Sequence, residues 1–253
     1  MKIKQSVYYK MMLIPLMAVL SCLHGCQKVD LEEYPGTVTD YDGNVYVTIK
    51  IGDQVWMASN LRVTHYSDGS DIPLVTGETE WKNMGNNSTD KAYCWYNNDQ
   101  ATYGTDWGAL YTWAAAMNGA PGSGSNPSGV QGACPTGWHI PSIAEWTELK
   151  DFLISDGFTY TQGKALKAIS GWDDDDGEDG NGTDDFGFAA YPGGSRETNY
   201  GHFIFGGGNG YWKSATESDD NYASGVHMGN YRDDIFIYKY LKGDGQSVRC
   251  VKD

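Results

Sequence analysis

The strongest helical pattern in this sequence runs from Ser142 to Ile154, and the chain around it is broken repeatedly by glycine. Ser142 and Glu145 stand three apart, as in a capping box, where the two residues satisfy N–H groups that a first helical turn leaves unpaired. Trp146, Leu149, Phe152 and Leu153 then recur on one face. Elsewhere 33 glycines help to cut the apolar runs to strand length. Val45–Ile51 and Gln54–Ala58 flank Gly52-Asp53 and read as a β-hairpin. Leu110–Met117 and Thr161–Ser170 are short helix candidates, separated from each other by the Gly-, Ser- and Pro-rich loop Asn118–Gly132. His202–Phe205, Tyr211–Trp212, Ser224–Met228, Ile235–Tyr240 and Ser247–Val251 alternate with Gly and Asp, the pattern of a strand meander. The expectation is an α+β domain with few helices, short strands and many loops.

Residues 1–25 read as an export signal. Lys2, Lys4 and Lys10 precede the apolar run Met11–Leu20. That run is half the roughly 20 helical residues that cross a bilayer core, so it is an h-region and not a span. Val19-Leu20-Ser21-Cys22 and Leu23-His24-Gly25-Cys26 both resemble a bacterial lipobox, in which a small residue precedes the thiol that takes the lipid. Cys26 is the favoured lipidation site and Cys22 the alternative; a plain secretory signal with two incidental cysteines is a third reading. Residues 26–36 then form the lipid anchor and a tether. Its charged stretch, Gln27–Glu33, resembles the one following the lipid cysteine in Bacteroidetes surface lipoproteins. The expected address is the outer membrane or cell surface, with 37–253 as the presented domain.

Composition narrows the function classes. Lys and Arg number 18 against 33 Asp and Glu, a formal charge of −15. Such a surface repels phosphate backbones, so no nucleic-acid partner is expected. Mean hydropathy of −0.51 excludes a multi-spanning membrane protein. Beyond the signal stand Cys94, Cys134 and Cys250, an odd count that allows one disulfide in an oxidising compartment and leaves one thiol over. No Cys-x-x-Cys pair or zinc-type spacing is present. His65, His202 and His227 share no metal spacing, and His139 reads as a hydrogen-bonded side chain ahead of the long helix. Ser142 and Glu145 read as caps, so no catalytic residue is assigned.

Two features suggest binding. The loop from Asp173 to Asp185 concentrates carboxylates, and Asp173, Asp174, Asp175, Asp176, Asp184 and Asp185 form a candidate Ca²⁺ site because hard oxygen ligands suit that ion. EF-hand spacing is absent, and a solvated acidic loop is the alternative. Tyr211 and Trp212, with Trp81, Trp95, Tyr96 and Trp107, are candidate stacking surfaces for sugar C–H faces. Trp113, Trp138 and Trp146 read as core rings.

Several segments recur in order in a known bacterial family: Thr37–Tyr46, Trp56-Met57-Ala58-Ser59-Asn60-Leu61, Gly108–Trp113, Cys134–Ser142 continuing to Glu145-Trp146, Asp184–Phe188, Pro192-Gly193-Gly194, Tyr211-Trp212 and Ser247–Val251. Over roughly 37–253 the chain resembles the Fibrobacter succinogenes major paralogous domain of bacterial lipoproteins, a family without an established activity. More distantly it is similar to the sulfatase-modifying-factor-like (formylglycine-generating-enzyme-type) and C-type-lectin-like folds. The lectin resemblance implies a Cys134–Cys250 disulfide. Comparison with the family leaves Cys94 as a buried free thiol. The oxidase chemistry of the enzyme relatives uses paired cysteines near the C-terminus, and only Cys250 lies there. The expected function is therefore binding of an extracellular ligand such as a glycan or a surface protein. A structural or adhesin assembly component is the alternative, and a degenerate oxidase the least favoured.

Overall fold

The computed structural model describes residues 35–253. The export signal, Cys22, Cys26 and most of the tether lie outside the described residues.

Strands β1 (Gly36–Thr39), β2 (Val45–Ile51) and β3 (Gln54–Met57) form an antiparallel meander. Gly52 turns β2 into β3 at φ +61°, and a Cβ there would meet the Phe152 ring at 2.9 Å. Only glycine combines that backbone with that contact. After the short helix α1 (Glu78–Lys82), strand β4 (Tyr93–Cys94) pairs with β5 (Leu110–Tyr111) around helix α2 (Gln100–Tyr103). Helix α3 (Trp113–Met117), strand β6 (Trp138–His139) and helices α4 (Ile143–Ser155) and α5 (Gln162–Leu166) follow. Strand β7 (Ser195–Arg196) pairs with β8 (Phe203–Ile204), and β9 (Asn209–Glu217), β10 (Tyr222–Gly229) and β11 (Phe236–Leu241) make a three-stranded meander. The last strand, β12 (Val251–Lys252), returns between β3 and β6, giving the five-stranded order β1-β2-β3-β12-β6. Among the described residues no helix is long and apolar enough to cross a membrane.

The helices are set by their caps. In α4 the Ser142 Oγ accepts from the Glu145 N–H, and the Glu145 carboxylate accepts from the Ser142 N–H, a complete capping box. Trp146, Leu149 and Leu153 are buried on its inner face, each contributing about 1.5–3 kcal/mol by leaving water. Two helix expectations were too long. Leu110 and Tyr111 belong to β5, and α3 starts only after Thr112, whose Oγ1 accepts from the Ala115 N–H. Helix α5 stops at Leu166 because Lys167 turns extended, with ψ near 140°.

One core joins Trp113, Trp138, Tyr111 and the sulfurs of Cys134 and Cys250. These two cysteines are bonded, with Cα atoms 6.0 Å apart, across 116 positions of sequence. A second core stacks Trp56, Trp146, Phe188 and Trp212 between the sheets and α4. Cys94 is buried and free, and burial pushes its thiol up to about 12.

So loop-rich a fold leaves many carbonyls without ladder partners, and buried cations supply them. Arg196 donates to the carbonyls of Gly201, Val75 and Thr76 and lies over Trp81 and Phe203. Arg249 donates to Ala189 O at 3.0 Å and to Phe188 O. Lys242 reaches Asp220 O at 2.9 Å and the Glu217 carboxylate. Lys167 bonds three carbonyls, Gly180, Gly229 and Arg232.

Candidate functional site

The outer face of the β9–β10–β11 sheet is paved with rings. The register aligns Tyr211 with His227 and Phe236, and Lys213 with Gly225 and Tyr238. Alternation puts these on one face and Trp212 and Val226 on the other. Tyr211 stacks on His227 at 4.9 Å and 14°, and meets Tyr240 edge-on at 5.5 Å. Tyr240 in turn meets Tyr238 at 5.9 Å, while Tyr231 lies 6.2 Å from His227. Gly225 makes the room: a Cβ there would sit 2.8 Å from the Trp212 carbonyl oxygen and 3.0 Å from the Tyr240 ring. Tyr238 is 68% exposed and Tyr231 53% exposed, so their faces are open to a ligand.

The surface carries little charge of its own. The His227 Nε2 lies 2.7 Å from the Asn209 Oδ1. Burial, reinforced by Arg232, pulls His227 down to about 4, so the ring is neutral at physiological pH. Burial also raises the Tyr211 and Tyr240 phenols. Lys213 is fully buried and is pulled down to about 8 by desolvation, against the attraction of Asp244. Arg232 lies 3.1 Å over the Phe236 ring and bonds Asp234 at 2.9 Å, and Lys164 lines the adjoining cleft. Apolar rings beside a fixed guanidinium and carboxylate suit a ligand with both C–H faces and hydroxyls.

The ring face continues into a cleft of about 350 Å³ between Tyr231 and Arg232 on one wall and Asp175, Asp176, Glu178 and Asp179 on the other. Larger clefts of about 500 and 830 Å³ lie under the 118–132 loop and beside the β2–β3 turn. Neither is lined by an exposed ring, whereas the exposed Tyr231 lines the smaller cleft.

Several candidate residues sit elsewhere than the sequence suggested. Trp212 is not a stacking platform. It is fully buried, and its indole N–H donates to Asn60 Oδ1 at 2.8 Å. Trp81 and Trp95 are core rings, while Tyr96 and Trp107 pack on each other at 5.2 Å. Asp173, Asp174, Asp175, Asp176, Asp184 and Asp185 do not converge: among the described residues no three His, Cys, Asp or Glu side chains gather as a metal set. Asp175 and Glu178 bond through their backbones in a turn, and Asp184 faces inward to accept from the Ala189 N–H.

Histidines are also accounted for. His65 pairs with Asp42 and Asp71, and His202 with Glu78. His139 is 1% exposed, with Nε2 2.6 Å from Glu145 and Nδ1 2.6 Å from Asp253. Its imidazole is raised: burial opposes the charge, but two carboxylates hydrogen-bonded to it prevail. Sequence reasoning had singled out only Tyr211 from the ring face. Phe236, Tyr238, Tyr240, Tyr231 and Arg232 went unassigned, although the every-second-residue rings of 236–240 carried a signal of one aromatic strand face.

Fold and surface together define a loop-rich α+β domain of small antiparallel sheets that exposes one aromatic sheet face. The chain belongs to the Fibrobacter succinogenes major domain family, whose pattern it matches over residues 49–252. No curated protein and no solved structure matches the chain.

Proposed function

We propose that the protein is an exported lipoprotein, held at the outer membrane or cell surface through Cys26 (Cys22 in the alternative), whose lectin-like domain binds an extracellular glycan without chemistry of its own. The observation that carries this reading is the exposed ring face of β9–β11, joined to a polar cleft by Tyr231 and Arg232. Rings fixed on a sheet lose little freedom on binding, which favours a stacked ligand. A binding role is preferred to catalysis because the most developed acid–base constellation, His139 with Glu145, is sealed at 1% and 3% exposure and beyond the reach of a substrate. The lectin-like comparison is supported by the Cys134–Cys250 bond and by the last strand closing the first sheet.

A second reading, an assembly component, is favoured by one observation. Strand β1 lies at the edge of its sheet, beside the exposed Val45 and Val47 on β2, a surface on which another chain can pair.

The test has two arms. Incorporation of a palmitate analogue in the expressing bacterium should be lost in Cys26→Ala, or in Cys22→Ala on the alternative. The purified protein should bind members of a broad glycan panel. Labelling that survives the double variant would refute the anchor, and an empty panel with an intact fold would refute the glycan and favour assembly.

A further inference from the structure

We infer that Lys167 is the resident cation of the acidic loop and the residue that positions the binding face. This rests on the glycan-binding reading only for its functional consequence.

Lys167 is 1% exposed. An ammonium has three donors, and here each finds a carbonyl: Gly180 at 2.9 Å, Gly229 at 3.2 Å and Arg232 at 3.3 Å. Trp172 covers the ammonium with its ring centroid at 5.1 Å, and the Asp233 carboxylate stands 4.0 Å away. The three carbonyls come from separate segments: the acidic loop, the end of β10, and the turn that carries Tyr231 and Arg232. The Asn230 side chain also ties the loop to that turn, donating to Asp173 O at 3.2 Å, and Lys167 adds bonds to all three carbonyls from beneath. The packing agrees, because a Cβ on Gly182 would sit 2.1 Å from the Lys167 carbonyl oxygen and 2.5 Å from its Cβ. The loop is therefore seated directly on the lysine stem. Carbonyl oxygens converging on one positive charge are what a bound cation would require, and a covalently attached ammonium meets that need without a metal. Lys167 thus locks the two walls of the cleft beside Tyr231.

Hydrogen exchange of the full protein tests this, with the metal alone as probe. The Gly182 and Asn230 amides bond Ala168 O and Gly208 O and report on the two walls. In the wild type, adding Ca²⁺ or a chelator should leave their exchange and the thermal midpoint unchanged, and Tb³⁺ should give no emission sensitised by Trp172. In Lys167→Met both amides should exchange about tenfold faster or more, the loss of about one charged hydrogen bond, while amides of α4 keep their protection. Glycan affinity should fall in the same variant. Lys167→Arg, which keeps the charge, should retain part of the protection. Saturable Ca²⁺ binding that protects the two wild-type amides would overturn the proposal without using any variant. So would unchanged exchange in a folded Lys167→Met. If no glycan binds even the wild type, the glycan reading falls and the exchange arms still decide the role of Lys167.

Discussion

Asn60 and Trp212 stand 152 positions apart and meet in a buried hydrogen bond of 2.8 Å. The same Asn60 Oδ1 accepts from Arg249 Nη2 at 2.7 Å and Nε at 3.1 Å, and its amide donates to Trp107 O at 2.8 Å. Arg249 lies 4.2 Å over the Phe188 ring. Four of the segments through which the family is recognised, those holding Asn60, Phe188, Trp212 and Arg249, thus close on one polar node inside the fold. In this chain those segments serve to hold the domain together from within.

Replacing Asn60 with Ala should therefore be a stability variant. It removes the acceptor shared by the Arg249 guanidinium and the buried Trp212 indole N–H, at a cost of about 3 kcal/mol. Urea unfolding measures it. Tyr211→Ala, on the opposite face of the same strand, should cost less because the side chain is only partly buried.

The Cys134–Cys250 bond closes a span of 116 positions. Removing it frees unfolded-chain entropy worth about 4–5 kcal/mol in the loop-closure description. Cys134→Ala with Cys250→Ala should lower the urea midpoint strongly, and a reductant should move the wild type toward that value. A midpoint insensitive to both would show that the packing of β6, β12 and β3 suffices.

Two histidines should drive stability in opposite directions with pH. His139 is raised in the fold above 6.5, its unfolded reference, so the stability it adds is full below that value and is lost as pH rises through the folded value. His227 is depressed to about 4, so its contribution is full above 6.5 and is lost as pH falls toward 4. Glu145 and Asp253 face His139; Arg232 and Asp234 act on His227. Thermal midpoints of His139→Gln and His227→Gln against wild type, from pH 4 to 9, should show gaps closing at opposite ends. Imidazole shifts in NMR give each titration directly, and a His227 midpoint near 6.5 would contradict the desolvated ring.

How much of this was legible in the sequence follows from how local each feature is. Helix α4 announces itself through Ser142 and Glu145, and the β2–β3 hairpin through Gly52-Asp53, because turns and caps act over a few residues. The insertion of β12 between β3 and β6 has no local period, and only the lectin resemblance hints at it, through the cysteine pair. Tyr211 and Trp212 are adjacent and of one chemical kind, so sequence alone tells that they face opposite ways and not which faces out. Lys167 reads as any surface lysine, since the carbonyls that hold it belong to residues 13 to 65 positions away.

The most direct test of the central claim is the affinity of Tyr238→Ala and Tyr231→Ala for whichever glycan binds the wild-type protein most tightly. Both side chains are more than half exposed, so stability should change by no more than about 0.5 kcal/mol. Each variant should bind about tenfold more weakly, the loss of one stacking contact of about 1.4 kcal/mol. Wild-type affinity in both folded variants would contradict the assignment of this ring face as the binding surface.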